Sequence, residues 1–206
     1  MANKNKSTIV KDACALFGIT LVAGLVLGFV YQWTKPTIEK NKLEAETAAY
    51  KVVYADAANF QSSDALTAAV EDCANVLAGS NTEGITVNNA FEAVDANGDV
   101  IGHVMSVTTS KGFGGNIQIS IGVTNDGQVT GIEILESSET AGLGSKAADP
   151  EFKNQYLNKT VDSFEVVKEN AVDNQINSIS GATITSKAVT NAVNASIYFA
   201  KTVGGN

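Results

Sequence analysis

Ser180-Gly181-Ala182-Thr183-Ile184-Thr185-Ser186 stands where a strand-rich region gives way to the last helical segment of this 206-residue chain. Downstream of it, Val189, Val193, Ile197 and Ala200 recur at helical spacing, which predicts a helix from Lys187 to about Lys201. Three hydroxyl residues, Thr183, Thr185 and Ser186, therefore crowd a helix start. Gly181 and Ala182 are small enough to let a bulky ligand approach the backbone. The N–H groups of a first helical turn have no intrahelical partners and the macrodipole is positive there, so the place suits an anion. Ser and Thr also serve as ordinary N-caps, and taken alone these seven residues fit that role as well.

Outward toward the N-terminus, Asp162–Lys168 reads as a strand entering this stretch. Asp149-Pro150-Glu151 opens a helix carrying Phe152, Tyr156 and Leu157, because Asp followed by Pro is a common helix entry. From Gly84 to Glu136 the chain is rich in Val, Ile and Thr with alternating polarity, interrupted by Asp95-Ala96-Asn97-Gly98-Asp99 and Asn125-Asp126-Gly127. Asn-Gly and Asp-Gly tolerate the positive φ of hairpin turns. Four strands are expected, near Ala90–Asp95, Val100–Thr109, Ile117–Thr124 and Gln128–Leu135. His103 alternates with Val104 inside one of them and is read as structural. Two glycine-bearing loops flank the third and fourth strands: Lys111-Gly112-Phe113-Gly114-Gly115-Asn116, and Glu139-Thr140-Ala141-Gly142-Leu143-Gly144. The first fits a plain loop, or one whose backbone closes over a planar ring.

At the other end, Lys4, Lys6 and Lys11 precede Ala13–Tyr31, 19 residues without Lys, Arg, Asp or Glu. That length spans a bilayer core of ~30 Å at ~1.5 Å per residue. Tyr31 and Trp33 sit at its far end, where amphipathic aromatics anchor at the interface. A cleaved signal peptide would have a shorter apolar core and a small-x-small cleavage site, which Gly28-Phe29-Val30-Tyr31-Gln32-Trp33 does not offer. The expected organisation is a basic cytoplasmic N-terminus at 1–12, a transmembrane anchor at 13–34, a helical stalk and a further helix at 35–83, and an α+β domain at 84–206. Pro36 is expected to mark a turn or a new helix. The stalk reads from Ile38 to Ala58, and a helix capped by Ser62 or Ser63 from Asp64 to Leu77. Gly24 and Gly28 form G-x-x-x-G, which fits either close packing of a partner helix or ordinary tolerance of glycine in lipid.

Composition excludes several classes. From Lys35 onward, 11 lysines face 21 acidic residues, a balance that argues against nucleic acid and against anionic headgroups. Cys14 and Cys73 lie in different parts of the chain, and no Cys/His cluster offers zinc or iron–sulfur ligation. One His leaves no Ser-His-Asp set, and neither G-x-S-x-G nor G-x-G-x-x-G before a helix occurs. Glu133, Glu136 and Glu139 read as a solvated strand end.

Ser180-Gly181-Ala182-Thr183 resembles the attachment motif of flavoproteins that carry FMN on a threonine through a phosphoester. That family comprises RnfG of the Rnf complex and NqrC of the sodium-pumping NADH:quinone reductase. The resemblance implies covalent FMN on Thr183, with Ser180, Gly181, Ala182, Ile184 and Thr185 around it. Glu139-Thr140-Ala141-Gly142-Leu143-Gly144 resembles the family's E-T-P-G-L-G segment, so Glu139, Thr140, Gly142, Leu143 and Gly144 are expected on the opposite side of the pocket. Ala141 stands in place of the usual Pro, and Ser137 and Ser138 stand where a His is common. Lys168 resembles the family's basic residue upstream of the motif, Gly112 is expected to approach the cofactor, and Asn177 replaces the usual Asp.

The fold class implied is α+β: one transmembrane helix followed by an FMN-binding domain with a mainly antiparallel sheet packed by helices. The compact length is nearest the RnfG member of an ion-translocating ferredoxin:NAD⁺ oxidoreductase, with the quinone-reductase member as the alternative. The implied partners are the other membrane and peripheral subunits, among them a second flavin-bearing membrane protein and iron–sulfur proteins, and an FAD-dependent flavin transferase. The implied location is the cytoplasmic membrane, single-pass, with the C-terminal domain outside. An anchored binding or assembly module without a redox centre is the reading from a different class.

Overall fold

The computed structural model describes residues 2–80 and 82–204. Side chains at 2–8, 10, 36–40, 42 and 43 are outside the described residues, and with them Lys4, Lys6, Lys40 and Lys42. The chain divides into two compact units between Glu44 and Ala45.

In the first unit the backbone is one helix, part of α1 (Ala2–Val53). Its segment Lys11–Lys35 has a mean hydropathy of 2.4 with none of it buried, and is long and apolar enough to cross a membrane. The helix runs through Pro36, against the expectation of a turn or a fresh start there. A proline inside a helix removes one hydrogen bond and crowds one carbonyl, a local cost that the helical stretches on both sides outweigh.

In the second unit, the end of α1 is followed by β1 (Asn59–Gln61), α2 (Asp64–Glu71) and α3 (Cys73–Val76). Ser63 caps α2 by accepting the Leu66 N–H. The single helix expected from Asp64 to Leu77 breaks at Asp72, whose backbone leaves the helical region and whose carboxylate accepts from Asn75 Nδ2 at 2.6 Å. Cys73 is buried, and its Sγ accepts the Val87 N–H.

The sheet follows: β2 (Ile85–Val94), β3 (Val100–Thr109), β4 (Ile117–Thr124), β5 (Gln128–Ser137) and, beyond a 3-10 turn at Gly144–Ala148 and the single turn α4 (Pro150–Lys153), β6 (Lys159–Thr160). The six strands lie in the order β1-β2-β3-β4-β5-β6, all antiparallel. The bounds of β3 and β4 are those expected; β2 begins at Ile85 instead of Ala90, through a bulge between Val87 and Asn89. The expected strand Asp162–Lys168 shortens to β7 (Glu165–Val167), which pairs in parallel with β8 (Gln175–Asn177) as a separate ribbon. Helix α5 (Thr183–Val203) closes the chain, starting four residues before the expected Lys187.

Pleating sorts the two faces. Met105, Val107, Ile117, Ile119, Ile121 and Val123 face α5, where Val189, Val193, Ile197 and Phe199 are buried against them. Tyr156 is sealed into the same core, its hydroxyl 2.7 Å from Thr190 Oγ1. Tyr50, Val53 and Tyr54, at the end of α1, cover Ala93 and Val104 on the opposite face. There the sheet is paved with glycine: a Cβ on Gly122 would stand 2.7 Å from the Val53 carbonyl oxygen, and one on Gly131 3.1 Å from Val53 Cα. Thr130 Oγ1 donates to that carbonyl, and Tyr54 OH donates to Ile101 O at 2.7 Å. Two turns earlier the buried Glu46 carboxylate accepts from Asn89 Nδ2 and Gln118 Nε2 at 2.9 and 2.8 Å.

This packing makes two changes measurable. Gly122→Val forces the α1 terminus off the sheet and is expected to cost about 1–3 kcal/mol, read as a fall in Tm of the detergent-solubilised chain. His103 is buried on the α5 side and burial lowers its pKa, partly countered by Glu92. The unfolded chain therefore takes up this proton first. Stability is full above the ordinary histidine pKa of about 6.5 and is lost below it, by at most about 1.4 kcal/mol per pH unit. Denaturant unfolding at pH values of about 7.5 and about 5.5, either side of that pKa, should show this loss, and His103→Gln should flatten it.

Candidate functional site

The mouth of α5 is the centre of the candidate site. Ala182 occupies the N-cap position, and no side chain caps the helix. The hydroxyls expected there are at work elsewhere. Ser186 Oγ accepts the Ile179 N–H at 2.9 Å and donates to Ala182 O at 3.0 Å, tying the incoming segment to the first turn. Thr185 is buried with its Oγ1 unpartnered, while Thr183, the first helical residue, is exposed. An ordinary N-cap is therefore not what these hydroxyls provide, and the free N–H groups of the first turn face outward.

Beside this mouth lies a cleft of about 740 Å³. Of the residues expected around the motif, Ser180, Gly181, Thr183 and Lys168 line it. Lys146, Asp149, Gln155, Glu169 and Asn177 line it as well, and sequence reasoning misses all but Asn177 as site residues. Lys146 sits two residues beyond the E-T-A-G-L-G loop, and that proximity is the available signal. Gln155 braces the entry to the motif: its Oε1 accepts the Asn177 N–H at 2.7 Å, and its Nε2 donates to Asn177 O at 3.3 Å. Asn177 Oδ1 in turn accepts the Ala171 N–H, so its side chain closes the β7–β8 loop.

The second loop meets the first at one point. Gly181 has φ +76°, and a Cβ there would lie 3.3 Å from Leu143 Cδ2. A left-handed glycine thus brings the two loops into contact. Gly142, at φ +76°, donates its N–H to Ser145 Oγ, and Thr140 O accepts from Leu143 N and Ser145 N. These bonds curl the loop into the 3-10 turn and leave Leu143 45% exposed.

Glu139 is a structural clamp. Its Oε1 accepts the Phe113 N–H at 2.7 Å, and its carboxyl group fills the space that a Cβ on Gly112 or Gly144 would need. It therefore joins the β3–β4 loop to the 3-10 turn. Phe113 is held there 71% exposed, and Ile184 is 55% exposed in a small groove with Lys111 and Lys187. Two large exposed apolar side chains thus stand by Thr183: Leu143, against Gly181, and Ile184, the next residue in the chain.

Comparison with known proteins gives the family of the chain. Residues 112–198 match the FMN-binding domain family, and residues 1–53 match the RnfG N-terminal region. The class is that of an FMN-binding domain behind an apolar N-terminal helix. The chain is 34% identical to the G subunit of the Na⁺-translocating ferredoxin:NAD⁺ oxidoreductase complex of Acetobacterium woodii, over 92% of this chain and 90% of that one. It is 28% identical to the G subunit of the proton-translocating ferredoxin:NAD⁺ oxidoreductase complex of Clostridium ljungdahlii, over 95% and 97%. The chain belongs to this RnfG family. Among solved structures, NqrC of Shewanella oneidensis matches with a TM-score of 0.48 and 22% identity, over 55% of this chain and 59% of that one.

If Glu139 is a clamp, Glu139→Ala releases the Phe113 amide. Its hydrogen-exchange protection should drop by about tenfold, the equivalent of ~1.4 kcal/mol for one charge-assisted hydrogen bond, while Glu139→Gln, which keeps an acceptor, should lose less.

Proposed function

We propose that the protein is a membrane-anchored flavoprotein subunit of an ion-translocating ferredoxin:NAD⁺ oxidoreductase complex, with FMN joined to Thr183 through a phosphoester. Family membership and the match to the FMN-binding domain support the cofactor. The observation that carries the attachment point is the exposed Thr183 at the first position of a helix that no side chain caps.

The residues present fit the group. The first-turn N–H groups at Thr183 have no side-chain cap and suit a phosphate, and Lys146 and Lys168 line the adjacent cleft together with Asp149, Glu151 and Glu169. Exposed Leu143, beside Gly181, and Ile184, next to Thr183, offer apolar surface for a planar ring. The chain has no Arg, so a bidentate grip on a phosphate dianion is absent. A diester carries one charge fewer and is held by its own bond. In the attachment step an FAD-dependent transferase supplies the group. The Thr183 Oγ1–phosphorus bond forms, the diphosphate bond of FAD breaks, AMP departs, and the hydroxyl proton is lost. When bound, FMN supplies one- and two-electron transfer.

Within the site, Ser180, Gly181 and Ala182 bring the chain to Thr183, and Ser186 holds that approach fixed. Glu139, Gly112 and Gly144 act through the clamp, Thr140 and Gly142 through the curl of the loop, and Thr185 from inside the first turn. Partners are the remaining members of the complex, including a second flavin-bearing membrane protein and iron–sulfur proteins. The apolar segment Lys11–Lys35 supports the anchor, and the acidic C-terminal domain lies outside the cytoplasm in this reading.

Co-expression with the transferase should add the mass of one FMN less one water and leave flavin fluorescence in a denaturing gel. Thr183→Val should abolish both and Thr183→Ser should retain some. Flavin on another residue, or none in the wild type, overturns the assignment.

A further inference from the structure

One edge of β8 pairs with β7, and the other is met by two side chains of the segment after α4. Gln155 Oε1 accepts the Asn177 N–H at 2.7 Å and Gln155 Nε2 donates to Asn177 O at 3.3 Å. That is the pair of bonds which a facing residue of an antiparallel strand would make. Earlier in the strand, Gln175 O accepts from Lys159 Nζ, also at 3.3 Å. The amide is firmly mounted: Phe152 and Tyr156 on either side of it are buried, and the Tyr156 hydroxyl meets Thr190 of α5. Past Asn177, residues 178–182 form an arch that is neither helix nor strand and leads to Thr183. Its N–H groups go from Ser178 to Val167 O, from Ile179 to Ser186 Oγ and from Ala182 to Ile179 O. The course of the arch is thus set by β7 on one side, Ser186 at its far end and Gln155 at its entry. Gln155 and Thr183 line the same cleft.

We propose that Gln155 is a positioning residue for Thr183. Its side-chain amide takes the place of one peptide of a missing strand beside β8 and so fixes the direction of the group that Thr183 carries. This rests on the assignment of FMN to Thr183. Gln155 acts through Asn177 and the arch, supplies no charge and moves no proton. The requirement is for a donor and an acceptor at one length. Glutamate keeps the acceptor for the N–H but sets an oxygen against Asn177 O, while methionine keeps the volume and makes neither bond. A ring tethered at the end of the arch follows the backbone that carries it, so freedom gained at the entry becomes freedom of the ring.

The test uses the full chain in detergent, loaded by co-expression with the transferase, with loading read by intact mass. Gln155→Met is expected to lower hydrogen-exchange protection by about tenfold at the Asn177 amide, for the lost bond, and to lower it at Ile179 as well. In the loaded chain it should add a fast component to the anisotropy decay of the flavin fluorescence, with Gln155→Glu between it and the wild type. Asn194→Leu is the control. Asn194 makes the same pair of bonds to Phe164 N and O, at 2.7 and 2.9 Å, so its loss should lower Tm yet leave the decay as it is. An unchanged decay in Gln155→Met, or an equal change in Asn194→Leu, overturns the proposal while the attachment stands. Absence of the FMN mass from the wild type is instead the failure of the attachment itself. Should Gln155→Met not load, the exchange pattern of the unloaded chain decides: loss reaching Ile179 supports the positioning role, and loss confined to Asn177 overturns it.

Discussion

Burial of α5 against the sheet fixes where its first turn opens. The helix has an almost continuous inner face, from Thr185 to Ala200, packed on the isoleucines and valines of β3 and β4. That burial stabilises the helix through the hydrophobic effect, so it does not depend on a cap. A helix held by its body can leave its N-terminus unsatisfied by side chains, and a Ser/Thr-rich start without a cap is the result. The positive end is then free for a ligand, and Thr183 stands at it.

The other face of the sheet meets a different demand. The end of α1 approaches the strands closely enough that Gly122 and Gly131 leave no room for a side chain. Close approach replaces the missing side-chain contacts with backbone ones, and the Thr130 hydroxyl and Tyr54 phenol satisfy two carbonyls that the approach buries. Burial also raises the pKa of Tyr54 to about 12, with Asp56 and Asp126 adding to the effect, so the phenol stays a donor at any physiological pH. Buried Glu46 has two amide donors as its partners in this network, and such hydrogen-bonded groups fix register more than they add stability.

Strong local patterns are legible in the sequence. Period-two alternation and Asn-Gly and Asp-Gly turns give β3 and β4 to the residue, and hydropathy locates the apolar segment of α1. The elements missed are those set by tertiary contact. β1, β6 and β8 are two or three residues long, too short for any periodicity, and exist because a neighbour supplies their hydrogen bonds. The break at Asp72 and the early start of α5 at Thr183 likewise depend on local contacts and packing that spacing alone does not encode. At the site, two motifs distant in sequence do meet, through Leu143 and Gly181. The role of Glu139 could not be read from its identity, because a carboxylate that grips a loop and one that faces a ligand look alike in sequence. Lys146 escapes notice for a similar reason: a single lysine after a glycine loop carries no pattern.

Openness of the site bears on why a covalent bond would be used. Noncovalent cofactors are retained by burying most of their surface. Here Leu143 and Ile184 stand exposed and the neighbouring cleft is polar, so a planar ring would gain some apolar surface but little enclosure. A shallow seat gives weak retention, yet it leaves an edge of the ring open to a redox partner. Attachment through Thr183, as proposed, would separate the two requirements: the bond would retain the group and the protein surface would only orient it. Under that proposal the glycines and the Glu139 clamp would serve orientation, since a tethered ring still needs a fixed direction to present to its partner.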